Sequence, residues 1–134
     1  MNTKTVTTWK TAHEFESKLG HNSISLDGSQ ANGFGPKALL LSGLAACSGI
    51  DVVDILEKMK VSFTDFVIDA EAEQVEDHPK VYKDILVTYR IKTDTSNEDK
   101  VRKAIDLSLE KYCGVAAMLR KNSAINYKLV IENS

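Results

Sequence analysis

The 134-residue sequence predicts an α+β protein with helices packed on antiparallel sheet, and three features carry that prediction. Short polar segments rich in Thr and Ser open the chain. A long, strongly apolar helical pattern follows Pro36. Alternating and helical segments then succeed one another to the end, giving the order βββ–α–ββ–α–α–β. No repeat, linker or low-complexity stretch divides the chain, so a single domain over residues 1–134 is expected. A domain of this size buries ~70% of the surface its unfolded chain exposes, enough for a core without crosslinks.

From about Thr3 to Leu26, Val6, Trp9, Phe15, Ile24 and Leu26 stand among β-formers, with a break at Gly20. This predicts two or three short antiparallel strands. Asp27-Gly28 and the stretch through Gly35 have turn chemistry. Pro36 suits a first helical turn, and the helix it introduces runs to about Met59. Its first half, A-L-L-L-S-G-L-A-A-C, is apolar or small on every side, the pattern of a helix buried all round. Ser42, Ala46 and Gly49 form a small-residue face open to close approach by another helix. One domain has few places to bury such a helix completely, so a second subunit is expected to cover it. Two strands, about Val61–Glu76 and Lys80–Thr93, flank a hairpin turn at D-H-P-K. T-S-N-E-D begins a helix with Ser96 as N-cap and Glu98 and Asp99 at its positive end. Cys113-Gly114 interrupts that helix, a short second one follows, and Ile125 to Ile131 alternates as a closing strand.

Composition excludes several classes. The formal net charge is −2, with 43% hydrophobic and 27% charged residues, which disfavours nucleic acid or an anionic membrane as partner. The opening M-N-T-K-T-V-T-T-W-K has no apolar secretory core, and no apolar run is expected to reach the ~20 residues of a bilayer span. A cytoplasmic location follows as the expectation, and there a permanent disulfide is disfavoured.

The chain has two cysteines, Cys47 and Cys113, each in an apolar helical setting: A-A-C-S-G-I-D-V-V and K-Y-C-G-V-A-A-M-L. A zinc site is disfavoured because His13, His21 and His78 are scattered and the cysteines lie far apart. A Cys/His/Asp triad lacks a local signature. G-S-Q-A-N-G-F-G lacks the Lys-Ser/Thr that completes a phosphate loop. The thiols remain, either as small buried apolar groups or as a redox pair. Cys47 lies mid-helix, where its own helix dipole gives no help, and Asp51 one turn on would raise its pKa if ionised and close. Cys113 is better placed, at the start of the last short helix with its free N–H groups. The residues alone permit redox chemistry without demanding it.

The segment G-P-K-A-L-L-L-S-G-L-A-A-C-S-G-I-D-V-V-D-I-L-E-K-M, with the later S-L-E-K-Y-C-G-V-A-A-M-L, resembles the OsmC/Ohr superfamily of osmotically inducible and organic hydroperoxide resistance proteins. The likeness is to its YhfA-like branch and covers about Gly20 to Ile131. It implies an OsmC-like fold, with antiparallel sheets packed around a long central helix in an intertwined homodimer. It also implies a thiol peroxidase acting in oxidative-stress defence. The residue matching the peroxidatic cysteine is Cys47, and the one matching the resolving cysteine is Cys113. The partners implied are a hydroperoxide substrate and a dithiol reductant; no metal, flavin or haem cofactor is implied.

Two departures bear on that reading. Family members follow an Asn-Pro at this helix start with a glutamate, paired to an arginine from the N-terminal strands. This chain reads Gly35-Pro36-Lys37, and its arginines are Arg90, Arg102 and Arg120. Lys10, Lys18, His21 and Lys37 are the candidate replacements for the missing charge. The leading expectation is a cytoplasmic, homodimeric, thiol-dependent hydroperoxide reductase or related redox protein. The alternatives are a non-catalytic binder of an apolar small molecule in a cleft near Cys47, and a structural dimer with inert cysteines.

Overall fold

In the computed structural model, which describes residues Met1–Ser134, the chain falls into two compact units, Met1–Leu40 and Leu41–Ser134. In the first unit, β1 (Val6–Thr11), β2 (Glu14–Leu19) and β3 (Asn22–Asp27) form an antiparallel sheet in the order β1-β2-β3. Two-residue turns join them, and each needs a left-handed residue: Ala12 at φ 47° and Gly20 at φ 61°. Val6, Trp9, Leu19 and Ile24 remain half or more exposed.

The loop after β3 is organised by Asp27, which is buried. Its carboxylate accepts from the Ser29 N–H at 2.9 Å, the Ser29 hydroxyl at 2.7 Å and the Asn32 N–H at 3.0 Å. These donors hold the Asp27 pKa below the usual carboxylate value, the Ser29 hydroxyl contributing most. The loop then doubles back, with the Asp27 N–H donating to the Phe34 carbonyl at 2.9 Å. Gly33 permits this, since a Cβ there would stand 2.6 Å from the Ser25 carbonyl oxygen.

α1 (Ala38–Lys58) begins just after Pro36, as predicted. Its buried positions Leu44, Ser48, Val52 and Leu56 recur every four residues and form one inward stripe, with Gly49 beside it. The expectation of a helix buried all round does not hold within the chain: Leu40 is 47% and Ile50 64% exposed. At 21 residues and a mean hydropathy of 1.8, α1 does have the length and composition of a membrane span, contrary to the sequence expectation. Its inward stripe packs in the core, with 28% of the apolar window buried within the chain. Lys60, left-handed at φ 59°, ends it, while the N–H of Val61 reaches back to the Leu56 carbonyl at 2.9 Å. The segment from Val61 to Phe63 therefore belongs to the helix exit, and the strand starts later than predicted.

β4 (Thr64–Gln74) and β5 (Tyr82–Lys92) form the expected hairpin. β6 (Ile125–Glu132) pairs with β5 in parallel, a correction to the all-antiparallel expectation. The physical reason is the helical crossover, which returns the chain to the end where β5 began. β5 is thus central, and Ile85, Val87, Tyr89 and Ile91 along its inner face are all buried. In the crossover, Asp94 rather than Ser96 is the cap. Its carboxylate accepts from the Ser96 N–H at 2.8 Å and opens a short 3₁₀ turn, Thr95–Asn97. α2 (Glu98–Leu107) follows with Glu98 and Asp99 in its first turn. A wide π turn, Ser108–Tyr112, then leads to Cys113 and α3 (Gly114–Leu119). Leu44, Val52 and Leu56 join β5 and Val101, Ala104 and Ile105 of α2 in one core.

The Asp27 loop yields a pH-dependent prediction. A carboxylate with a depressed folded pKa stabilises the fold above its unfolded pKa of about 3.9, and that stabilisation disappears as pH falls through the folded value. Asp27→Ala is therefore expected to melt below the parent at pH 7. In circular-dichroism melts the gap should close as the pH is taken below 4, and a pH-independent gap would contradict this account.

Candidate functional site

Cys47 lies at mid-length on α1, half-buried and packed against the core beside Ser48. Cys113 closes the π turn. Its backbone is extended (φ −77°, ψ 105°), which stops the helix, and its N–H donates to the Ser108 carbonyl at 2.7 Å. Its sulfur then caps α3 by accepting the Ala116 N–H at 3.3 Å. The sequence-based placement of Cys113 at the start of the last helix is thus correct. Both cysteines are free thiols, and Cys47 is near enough to Cys113 to add to the upward shift of its pKa. The two candidate site residues, distant in the chain, are near enough to influence each other electrostatically.

Their electrostatics differ from what a reactive thiol pair commonly enjoys. Burial, at 3% exposure, pushes the Cys113 thiol up to about 11. The Ala116 N–H opposes that shift, while contact with Cys47 and the Asp51 carboxylate add to it. Cys113 is consequently a thiol, not a thiolate, at neutral pH. No cationic side chain is among the strongest influences on it. Arg90 pairs with Asp69, Arg102 with Glu98 at 3.0 Å, and Arg120 donates to the Leu109 carbonyl. Lys10, Lys18, His21 and Lys37, the candidate replacement charges, are exposed residues of the first unit. Lys18 lies 3.7 Å from Glu16.

A buried hydroxyl cluster adjoins the thiols. Ser108 Oγ lies 2.9 Å from Ser48 Oγ and 2.9 Å from Asp51 Oδ2, and Ser48 Oγ lies 2.6 Å from Tyr89 Oη. Tyr89, Ser48 and Ser108 are fully buried, and no buried side-chain polar atom lacks a partner. Burial raises the Tyr89 phenol to about 12, only partly opposed by the Ser48 hydrogen bond. The sequence reading missed Tyr89, Ser48 and Ser108. One signal was present: Ser108 falls between Ile105 and Leu109 on the apolar face of its helical segment, where a polar residue needs a buried partner.

Along the outer side of α1 runs an open apolar groove of about 620 Å³, lined by Ala46, Ile50 and Val53 with Phe66 and Ile68 of β4. Ser42 and Ala46 of the predicted small-residue face line it, whereas Gly49 also serves the sheet: a Cβ there would meet Ile68 at 2.9 Å. Part of that face therefore admits a strand, not another helix. No cluster of three or more His, Cys, Asp or Glu side chains is placed to hold a metal ion.

A mixed three-stranded sheet crossed by one long helix, together with a separate three-stranded antiparallel sheet, defines a class of small α+β protein. Residues 27–128 match the family described as OsmC-like protein, and the chain belongs to that family. It is 34% identical over 118 residues to Protein YhfA of Escherichia coli (strain K12), an alignment covering 86% of this chain and 87% of that protein. A hypothetical protein from Aquifex aeolicus VF5 has a similar structure, with a TM-score of 0.84, 29% identity and 98% of each chain covered. The Organic Hydroperoxide Resistance Protein OhrB of Bacillus subtilis shares the fold at a TM-score of 0.66 and 19% identity, with 96% of this chain and 98% of that one covered.

Differential burial gives an ordered reactivity. Iodoacetamide added to the folded, reduced protein at pH 7.5 is expected to alkylate Cys47 before Cys113. The Cys113 rate should climb about tenfold per pH unit between pH 8 and 10, following its thiolate fraction. Peptide mass mapping reads both, and faster labelling of Cys113 would contradict the burial account.

Proposed function

We propose that this OsmC-like protein is a thiol-dependent peroxidase or related redox protein that reduces hydroperoxides through Cys47 and Cys113. The observation that carries the reading is the nearness of the two free thiols, one half-open and one buried, close enough for Cys47 to influence Cys113. In this scheme the Cys47 thiolate attacks the O–O bond of a hydroperoxide. With one proton taken up, the alcohol leaves and Cys47 becomes a sulfenic acid. Cys113, kept protonated by burial, attacks that sulfur as its proton is transferred, forming the disulfide and releasing water. A dithiol reductant then exchanges with the disulfide and leaves as its own disulfide, restoring both thiols. The proposed setting is the cytoplasm, with defence against oxidants as the role.

The proposal includes a homodimer. It is supported by the apolar groove along α1 and by the exposed Leu40 and Ile50 on that helix, surface that a second copy would cover. Sedimentation is expected to give twice the 14.8 kDa chain mass. A stable monomer at micromolar concentration would remove this part.

Turnover tests the chemistry. With cumene hydroperoxide and a dithiol, the parent should consume peroxide and Cys47→Ser should lose at least about a hundredfold in rate. Cys113→Ser should let a Cys47 sulfenic acid be trapped, visible by mass. Equal rates for the parent and Cys47→Ser would refute the redox reading. They would favour the second reading, a binder of apolar small molecules, which the groove beside Ala46 and Ile50 motivates.

A further inference from the structure

The two thiols sit on elements far apart in the chain, so a tertiary contact must fix one against the other. We propose that Ser108 is a positioning residue that holds Cys113 against Cys47, and that its buried bonds to Ser48 and Asp51 form a clamp for closing the disulfide. The inference deepens the redox reading above and rests on it for its biological meaning.

Ser108 is fastened in three directions. Its carbonyl accepts the Cys113 N–H at 2.7 Å, the wide i+5 bond of the π turn. Its hydroxyl reaches Ser48 Oγ at 2.9 Å, and Ser48 follows Cys47 directly on α1. The same hydroxyl reaches Asp51 Oδ2 at 2.9 Å, one helical turn beyond Cys47. One residue therefore ties the backbone of Cys113 to the helix turn that presents Cys47. Tyr89 anchors the far side, its hydroxyl 2.6 Å from Ser48 Oγ.

Counting protons shows why the cluster is ordered. Ser108 has a single hydroxyl proton, and the Asp51 carboxylate is its strongest acceptor. Toward Ser48 Oγ the Ser108 hydroxyl is again the donor, so its one proton is shared between Asp51 and Ser48. Ser48 and Tyr89 hold the remaining bond between them. Packing alone would be served by an alanine at position 108. A fully satisfied polar cluster in its place fixes one arrangement of the π turn on α1. Fewer accessible arrangements of Cys113 mean a higher effective concentration of its sulfur at Cys47.

The test uses thiol exchange and needs no peroxide. The whole reduced protein is equilibrated at pH 7 with glutathione and glutathione disulfide. One glutathione disulfide oxidises the Cys47/Cys113 pair and yields two glutathiones. Acid quench, alkylation and mass measurement give the disulfide fraction and hence the effective molarity of the pair. Ser108→Ala is expected to lower it about tenfold. Ser48→Ala cuts the same link from the helix side and should do likewise. Asp51→Asn keeps an acceptor for Ser108 and should stay within about threefold of the parent. Serine variants equal to the parent would overturn the proposal. So would Asp51→Asn falling as far as Ser108→Ala, loss of the folded state in both serine variants, or a parent that forms no intramolecular disulfide. A parent that closes the disulfide yet consumes no hydroperoxide would remove the peroxidase reading and leave the clamp standing.

Discussion

The hydrogen bond between Ser48 and Tyr89 is the constraint on which the larger unit is built. The inward stripe of α1 runs Leu44, Ser48, Val52, Leu56, so a hydroxyl stands where the core meets the central strand. A buried hydroxyl without a partner costs about 1–3 kcal/mol, which a marginally stable domain does not readily absorb. Tyr89 meets that need from β5 at 2.6 Å, and stacks with Phe66 while meeting Tyr127 edge-on. The bond therefore fixes both how far α1 slides along β5 and which way it is turned. Cys47 and Asp51 take their positions from that setting, since they are neighbours of Ser48 on the same helix.

With α1 so placed, the two sulfurs share a location but not an environment. Cys113 is sealed, caps α3 through Ala116 and is kept protonated by burial. Cys47 is partly open. Under the proposed function this asymmetry would divide the labour, the open sulfur meeting the oxidant and the sealed one following as a neutral nucleophile. Neutrality has an advantage, because two adjacent thiolates would repel each other across a low-dielectric site. The Asp51 carboxylate adds to that bias against ionisation at Cys113. Attack on an O–O bond still requires a thiolate at Cys47, and the three arginines are engaged with Asp69, Glu98 and the Leu109 carbonyl.

Much of the fold was legible because its signals are local. Pro36 and the apolar run after it located α1 within two residues, and the period-two pattern from Ile85 to Ile91 marked a strand with one buried face. Cys113-Gly114 was correctly read as a break. The errors arise where tertiary structure decides. Nothing local in Ile125 to Ile131 states whether that strand pairs in parallel. The cap passed from Ser96 to Asp94 because a 3₁₀ turn precedes α2, displacing the first turn by a few residues. A pairing of the thiols is implied by family resemblance alone, since no spacing rule links positions 47 and 113. In the sequence Asp51 reads only as a charge one turn from Cys47. Its bond to Ser108 depends on the π turn, which no sequence pattern announced.

The outer side of α1 connects the redox and ligand readings in one physical frame. Ala46 and Ile50 line the groove while Cys47 and Asp51 lie one position further round the helix, so the apolar channel and the thiol site occupy neighbouring faces. Where a second copy left part of the groove open, an apolar molecule held there would lie on the face next to Cys47. Under the proposed function the groove would hold an apolar tail by burial of apolar area, and the thiols would act on a peroxide head. A protein that kept the groove without reactive thiols would bind without turnover, so enzyme and binder differ in the chemistry at Cys47, not in the groove.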